Sequence, residues 1–289
     1  MKNKEADFII KRKKRNIIYP AKGGKTMDGL IQQIEVSRCT DGRMEKVADR
    51  VIQEDVLGIR INGALFFRIS CSLEQPENLA AGFLFTQQIV KDKSEIELIV
   101  FDSEAGECRI TLRSKAADRL NTMDKSARQK GSSGGLLFPE SNNPGDTQPQ
   151  DCMQITCDDA TRLIRLHHDH SRLFKMTGAV HSCALCSRTD LLRFYEDIGR
   201  HNALDKMAGD ILLNGIDTAD KIVTASCRLS LEIIQKVAVS GFSMVISNSA
   251  PTYPAVKAAE SAGICVIGFA RNNRFNLYTH PGRIISREP

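Results

Sequence analysis

The amino-acid sequence predicts an α/β protein in which a parallel-sheet domain follows a smaller α+β domain. Two observations support this prediction: strands alternate with helices of about ten residues in the last third of the chain, and an Asn-Gly turn is flanked by apolar segments near its start. A glycine- and serine-rich stretch separates the two patterns. At 289 residues the chain is long enough for two domains.

The composition divides the chain into four parts. They are a basic flexible tail over residues 1–29, a small α+β domain with a hairpin over 30–115, a flexible glycine and serine loop over 116–150, and an α/β domain over 151–289. The net charge of +5 comes from the tail, so the rest of the chain is nearly neutral. We therefore expect a solvated tail and no nucleic-acid partner.

The small domain is predicted from a hairpin and a helix. Asn62-Gly63 lies inside the apolar stretch Val56–Ile69, and this dipeptide favours the tight turn of a β-hairpin. Small and apolar residues after Pro76 predict a buried helix that reaches Phe85. Two further strands are predicted at Glu95–Val100 and Cys108–Leu112.

The second domain is predicted from strands that alternate with helices. A helix from Asp158 to about His168 precedes them. The strands are Lys221–Ala225, Ser243–Ile246 and Ile264–Phe269, and the helices between them are Leu229–Val239 and Tyr253–Ala262. This alternation favours right-handed crossovers and a parallel sheet.

Residues that suit an anion follow the ends of these three strands. Arg228 follows the first strand, Ser249 the second, and Arg271 and Arg274 the third. In such sheets ligands bind beyond the carboxyl ends of the strands, and arginine binds phosphate through two parallel hydrogen bonds. We expect a nucleotide-like polyanion here, and the alternative is ordinary capping and turn chemistry.

The polar segment Glu196–Lys206 is a second candidate site. It places several ionisable residues around one glycine, and His201 would transfer a proton there if Asp197 or Asp205 orients it. The alternative is a helix start that its acidic residues stabilise.

The cysteines indicate thiol chemistry or core packing, and not a disulfide scaffold. The chain has nine of them, an odd number, and no pattern of an export signal. Cys183 and Cys186 form a C-x-x-C pair, which is consistent with buried structural thiols, with redox or persulfide chemistry, or with a metal site. We predict no metal site, because a second C-x-x-C is absent from the sequence. No apolar run is long enough to span a bilayer, so we predict no membrane span and expect the protein in the cytoplasm.

Long motifs in the chain resemble the FdhD family of formate dehydrogenase accessory sulfurtransferases. The motifs that carry the resemblance are Asn78–Phe85, Thr177–His181, Glu196–Lys206, Ser247–Thr252 and Phe269–Tyr278. The resemblance implies that the second domain has the cytidine deaminase fold without its zinc site.

The resemblance also implies a function and partners. Members of the family take sulfur from a cysteine desulfurase as a cysteine persulfide and pass it to the molybdenum bis(guanine dinucleotide) cofactor before the cofactor enters formate dehydrogenase. The domain 151–289 would then bind this cofactor, or a guanine nucleotide such as GDP, and a homodimer is expected. The residues implied in binding are Phe269, Ala270, Arg271, Asn272, Asn273 and Arg274.

One departure from the family's pattern concerns sulfur transfer. The family's persulfide cysteine lies in a glycine-flanked loop, and the matching segment Gly131–Gly135 has Ser132 in its place. A serine hydroxyl cannot form a persulfide. Cys183, Cys186 and His201 are therefore the candidate catalytic residues. The alternative is a cofactor-binding chaperone that carries no sulfur.

Overall fold

The computed structural model describes residues 24–122 and 153–286. The tail up to residue 23 and the loop that contains Ser132 lie outside the described residues. A β-ribbon and two sheet domains make up the described part. None of its helices is long and apolar enough to cross a membrane.

The β-ribbon precedes the small domain. The short helix α1 (Met27–Leu30) leads into strands β1 (Ile31–Thr40) and β2 (Arg43–Ile52), which pair in antiparallel fashion. Most residues of both strands are exposed. The sequence analysis did not predict the ribbon, because polar residues occupy both of its faces. Its strands therefore show little of the apolar–polar alternation that is typical of a half-buried strand. The stretch predicted as a flexible tail therefore ends in a helix whose Leu30 is fully buried.

The small domain is a four-stranded sheet with one helix against it. The strands are β3 (Asp55–Ile61), β4 (Ala64–Cys71), β5 (Ile96–Asp102) and β6 (Glu107–Leu112), in the order β4-β3-β6-β5, and helix α2 spans Pro76–Thr86. Asn62 and Gly63 form the turn between β3 and β4, and their φ angles of 48° and 85° are typical of a two-residue hairpin. The predicted hairpin, helix and two further strands are confirmed.

Helix α3 (Ser114–Thr122) extends into the segment predicted as a loop from residue 116. Its Ala116 is fully buried in the core of the small domain, and Leu120 packs against the same core. Residues 116–122 are therefore helical because one face of α3 buries apolar side chains.

The second domain is a six-stranded sheet with helices on both faces. In chain order it contains β7 (Ile155–Thr156), α4 (Cys157–His170), α5 (Arg172–Thr177), β8 (His181–Cys186), β9 (Leu191–Asp197), α6 (Arg200–Asn214), β10 (Ile222–Ala225), α7 (Leu231–Val239), β11 (Met244–Ser247), α8 (Tyr253–Ser261), β12 (Cys265–Arg271), β13 (Arg274–Leu277) and β14 (Ile284–Ile285). The sheet order is β13-β12-β11-β10-β8-β9, and β7 pairs with β14. Strands β10, β11 and β12 are parallel, as predicted.

The sheet is mixed, and not wholly parallel as predicted. Strands β8, β9 and β13 run antiparallel to their neighbours. β13 is antiparallel because only Asn272-Asn273 joins it to β12, and φ angles of 50° and 58° give these two residues the conformation of a hairpin turn. The β8–β9 hairpin was not predicted, because β8 is buried on both faces and shows no alternation. The cytidine deaminase arrangement stays a prediction.

Helix α6 lies between the two domains and packs against α2. A Cβ atom at Gly82 would be 1.8 Å from the carbonyl oxygen of Asp205, and one at Gly209 would be 1.8 Å from the carbonyl oxygen of Asn78. Only glycine permits this approach, so the two backbones are in direct contact.

Two buried ion pairs lie at the same interface. Lys206 Nζ lies 2.8 Å from Asp197 Oδ2 and donates to the carbonyl oxygen of Ser72 in the small domain at 3.0 Å. Lys236 Nζ lies 2.6 Å from Asp205 Oδ2. Because all four charged groups are buried and paired, we assign them to the contact between the domains.

Candidate functional site

A cavity of about 780 Å³ lies at the carboxyl ends of β10, β11 and β12. Ser226, Asn248 and Arg271 end or follow these three strands and line the cavity. His181 and Ser182 line it as well, because β8 is antiparallel to β10 and begins at this edge of the sheet. The cavity therefore lies at the sheet edge where the sequence predicted a ligand site.

The lining of the cavity suits an anionic ligand. None of the described residues that line it is acidic, whereas Arg165, Arg271 and Asn248 offer hydrogen-bond donors. Helix α5 adds Phe174, a residue that is 46% exposed. Across residues 24–122 and 153–286, no group of three or more His, Cys, Asp or Glu residues could hold a metal ion.

Four of the six residues of the predicted cofactor-binding motif line this cavity. The cavity-lining members are Ala270, Arg271, Asn272 and Asn273. Phe269 does not line the cavity, and its φ of 52° is one that a bulky side chain rarely adopts. This conformation occurs where the pairing of β12 with β13 changes register, between Gly268 and Arg271.

Phe269 connects two of the strand ends. Its N–H donates to the carbonyl oxygen of Ser249 at 3.0 Å, and its ring centre lies 5.8 Å from the guanidinium carbon of Arg271. A guanidinium group at this distance from an aromatic ring is attracted to it. Phe269 and Ser249 were predicted to bind the cofactor; neither is among the residues that line the cavity, and their role stays a prediction.

The two remaining predicted arginines lie outside the cavity lining. Arg274 lines an adjoining open cleft of about 830 Å³, together with Arg162 and Arg165. Arg165 borders both spaces, and its Nη2 donates to Asn273 Oδ1 at 3.3 Å. Arg228 is exposed in the loop after β10.

His167 of α4 is a residue of the cavity that the sequence analysis did not propose as a site residue. Its Nδ1 lies 2.8 Å from Thr224 Oγ1, and its Nε2 lies 2.8 Å from Ser182 Oγ. Burial, with a smaller contribution from the charges of His168 and His170, lowers the pKa of His167 to about 3, so the ring is neutral at physiological pH. Its position three and four residues after Ile164 and Leu163 on the apolar face of α4 was the available signal.

Comparison with known proteins identifies the family. A family model described as the FdhD/NarQ family matches residues 52–285. The chain belongs to the FdhD/NarQ family. The sulfur carrier protein FdhD of Bacillus subtilis (strain 168) is 37% identical over 254 residues, which cover 86% of this chain and 96% of that protein. The sulfur carrier protein FdhD of Staphylococcus aureus (strain MRSA252) is 31% identical over 255 residues, which cover 88% of this chain and 96% of that protein.

A solved structure has the same fold as this FdhD/NarQ family member. It is the crystal structure of a protein from Desulfotalea psychrophila described as a formate dehydrogenase accessory protein. The two superpose with a TM-score of 0.73 at 23% identity, over 89% of this chain and 100% of that one.

His201 is buried in this FdhD/NarQ family member and does not line the cavity. Its Nε2 lies 3.2 Å from Glu232 Oε2 and accepts a hydrogen bond from Arg200 Nε at 3.3 Å, while its Nδ1 has no partner among the described residues. Burial lowers the pKa of His201 to about 3, and the charges of Lys236 and Arg200 contribute. His181, and not His201, is therefore the histidine of the two that lines the cavity, and the proton-transfer role of His201 stays a prediction.

Cys183 and Cys186 lie on β8 and are both buried. Because they are three residues apart on a strand, they belong to different faces, and each packs in a different hydrophobic cluster. Burial raises the pKa of Cys183 well above its ordinary value and raises that of Cys186 to about 12. The geometry therefore favours core packing for both thiols, since a persulfide carrier needs an accessible thiolate.

Proposed function

We propose that this chain is a formate dehydrogenase maturation factor that binds the molybdenum bis(guanine dinucleotide) cofactor at the sheet edge and passes sulfur to it from a cysteine desulfurase. Its relatives are named sulfur carrier proteins, and the related solved structure is described as a formate dehydrogenase accessory protein. The proposal retains the predicted homodimer and the predicted cytoplasmic location.

The observation that carries the proposal is the cavity at the carboxyl ends of three parallel strands, since none of the described residues that line it is acidic. A nucleotide places negative charge at its phosphates and an apolar, hydrogen-bonding surface at its base. Arg271, Asn272 and Asn273 supply donors for the phosphates. Phe174 supplies a ring on which the base stacks, and Ser182 supplies a hydroxyl group for its polar edge.

The hydroxyl of Ser182 is held in place by His167. Because the His167 ring is neutral, one of its nitrogens donates and the other accepts. If Nδ1 donates to Thr224, Nε2 accepts from Ser182 and leaves the Ser182 lone pairs toward the cavity. If Nε2 donates to Ser182, the hydroxyl proton of Ser182 is free for a ligand acceptor. Ser182 can therefore serve either a donor or an acceptor of the bound nucleotide.

Calorimetry with GDP tests nucleotide binding. We expect Arg271→Ala to weaken GDP binding by about 1.5–3 kcal/mol, which is about tenfold or more, because a charge-assisted phosphate contact is lost. Arg43→Ala on the exposed ribbon strand β2 is the control and should bind GDP like the unaltered protein. Equal GDP affinity in Arg271→Ala and the unaltered protein would refute the proposal that the cavity is the nucleotide-binding site.

The second candidate function is a cofactor chaperone that carries no sulfur. The burial of Cys183 and Cys186 favours it, together with Ser132 at the position of the family's persulfide cysteine. A carrier accepts the outer sulfur of the desulfurase persulfide on its own thiolate and leaves the desulfurase with a thiol. Neither buried thiol of β8 is accessible for that attack.

Mass spectrometry after incubation with a persulfide-loaded cysteine desulfurase separates the two functions. Sulfur transfer by this chain predicts an additional sulfur atom on one of its thiols, whereas the chaperone function predicts none. Neither function predicts one on Cys183 or Cys186, because both thiols are buried and protonated. Ser132→Cys should gain one sulfur atom at the new thiol and increase the formate dehydrogenase activity of cells that depend on this chain. A sulfur adduct on Cys183 or Cys186 of the unaltered protein would refute their assignment to core packing.

A further inference from the structure

The side chain of Glu196 connects β9 to the first turn of helix α5. Its Oε2 accepts a hydrogen bond from Leu173 N–H at 3.1 Å, and its Oε1 accepts one from Phe174 N–H at 3.2 Å. Each oxygen of the carboxyl group therefore binds one N–H group at the start of α5. Backbone N–H groups in the first turn of a helix have no partner within the helix, so they need an acceptor from outside.

Helix α5 depends on contacts of this kind because it is short. It has six residues, and a helix of this length is not stable on its own. Ser171 occupies the N-cap position, but its side chain accepts no hydrogen bond from the helix. Glu196 thus binds the N–H groups that a capping side chain normally binds.

The first turn of α5 packs into the protein through one residue and lines the cavity through the next. Leu173 is 1% exposed and belongs to a buried cluster with Leu30 and Val180, against which Ile31 and Ile52 of the β-ribbon also pack. Phe174 lines the cavity, and Leu173 does not. The location of the Phe174 ring therefore depends on how α5 is held by Leu173 and by Glu196.

Glu196 is itself held in place at the contact between the two domains. Its carbonyl oxygen accepts a hydrogen bond from Lys206 Nζ at 2.9 Å, and Lys206 is a member of one of the buried ion pairs there. Burial raises the pKa of Glu196, and the N–H groups of Leu173 and Phe174 oppose this rise because they favour the ionised carboxylate. The carboxylate thus has a fixed support on one side and α5 on the other.

We propose that Glu196 is a positioning residue, which holds α5 so that the ring of Phe174 stacks on the base of the bound nucleotide. This inference rests on the proposed function, and it gives a role to the first residue of the polar segment Glu196–Lys206. It assigns base recognition to α5 and its anchors, separately from the phosphate contacts at Arg271. Loss of the carboxylate should therefore remove the contribution of Phe174 and leave that of Arg271.

A double-mutant cycle measured by calorimetry with GDP tests whether Glu196 acts through Phe174. We expect Phe174→Ala to weaken GDP binding about tenfold, because a stacking contact is lost. Glu196→Gln keeps the shape of the side chain but replaces one acceptor oxygen by a donor, so it should weaken binding by up to the same factor. The double variant should bind GDP within about twofold of Phe174→Ala alone, since both changes remove the same contact.

A second measurement follows the ring itself. The chain contains no tryptophan, so Phe174→Trp places a single fluorescent indole at this position. We expect GDP to quench its fluorescence by stacking, and Glu196→Gln to remove most of that quenching at saturating GDP. Glu95→Gln is the matched control, because Glu95 accepts a hydrogen bond from Lys91 N–H at 2.8 Å in the small domain, and it should leave the quenching unchanged.

The outcomes distinguish this inference from the proposed function. An unaltered protein that does not bind GDP would refute both. GDP binding that Arg271→Ala weakens and Phe174→Ala does not would refute the inference alone, as would a double variant whose loss is the product of the two single losses. Thermal unfolding shows whether Glu196→Gln is folded, and Glu196→Asp, which is one methylene group shorter, is the second variant. Failure of both variants to fold would show a structural role and overturn the assignment.

Discussion

His167 connects α4 to two strands of the sheet through both nitrogens of its ring. The partners are Thr224 on β10 and Ser182 on β8, and the ring centre also lies 5.0 Å from that of Phe194. The pKa falls to about 3 because burial removes the water that would solvate a charged ring. A single neutral histidine thus connects α4, which forms one side of the cavity, to the sheet.

The lowered pKa of His167 predicts how stability changes with pH. The unfolded chain binds a proton at this residue below about pH 6.5, whereas the folded protein does not until about pH 3. The unfolded state therefore holds more protons between these values, and the free energy of unfolding falls by up to about 1.4 kcal/mol for each pH unit below 6.5. Urea denaturation at pH 7 and pH 5 measures this loss.

The variant His167→Gln isolates the contribution of this residue. The amide keeps hydrogen-bonding capacity but does not titrate, so the loss of stability between pH 7 and pH 5 should be smaller by up to about 2 kcal/mol. His201 has a similarly lowered pKa and contributes a loss of the same sign in both proteins. Equal losses in the variant and the unaltered protein would show that His167 is protonated in the folded state.

Among the elements, α2 and α6 make a contact that leaves no space for a side chain at Gly82 or Gly209. A methyl group at Gly82 would overlap the carbonyl oxygen of Asp205, so one of the two helices has to move. Alanine normally stabilises a helix by about 1 kcal/mol over glycine. Whether Gly82→Ala raises or lowers the free energy of unfolding therefore shows whether the close contact between the helices exists in solution.

We expect Gly82→Ala to lower the free energy of unfolding by about 3 kcal/mol or more, through overpacking and loss of the neighbouring buried ion pairs. Chemical denaturation measures the change. Gly282→Ala is the matched control, because nothing lies within 4 Å of a Cβ atom there, and it should stay within about 0.5 kcal/mol. Stabilisation by Gly82→Ala would contradict the contact between the helices.

Elements with a regular pattern could be predicted from the sequence, and those without one could not. Asn62-Gly63 defined a hairpin, and α7, α8 and the strands around them alternate clearly. Strand β8 was missed because Ser182, Cys183 and Ala184 have no period of two and are buried on both faces. The β8–β9 hairpin adds two antiparallel strands at one edge of the sheet, and the sequence of the parallel strands does not indicate them.

At the scale of the whole molecule, the location of the cavity was predictable from the sequence, and the burial of several predicted site residues was not. The rule that ligands bind at carboxyl strand ends located the cavity, because it depends only on topology. The burial of His201 and the separation of Cys183 from Cys186 depend on which face of α6 or β8 packs inward. That information comes from contacts between residues far apart in the chain, such as the crossing of α6 with α2.

The shared position of α6 has a consequence for how this protein can change by recombination. Adjacent residues of the helix, Ile211 and Leu212, belong to the cores of different domains. A fragment that ends before α6 would expose the surface around Gly82, and a foreign domain joined to α2 would need a glycine opposite it. Because Ile211 contributes to one core and Leu212 to the other, we expect that neither domain can be exchanged without replacing α6 as well.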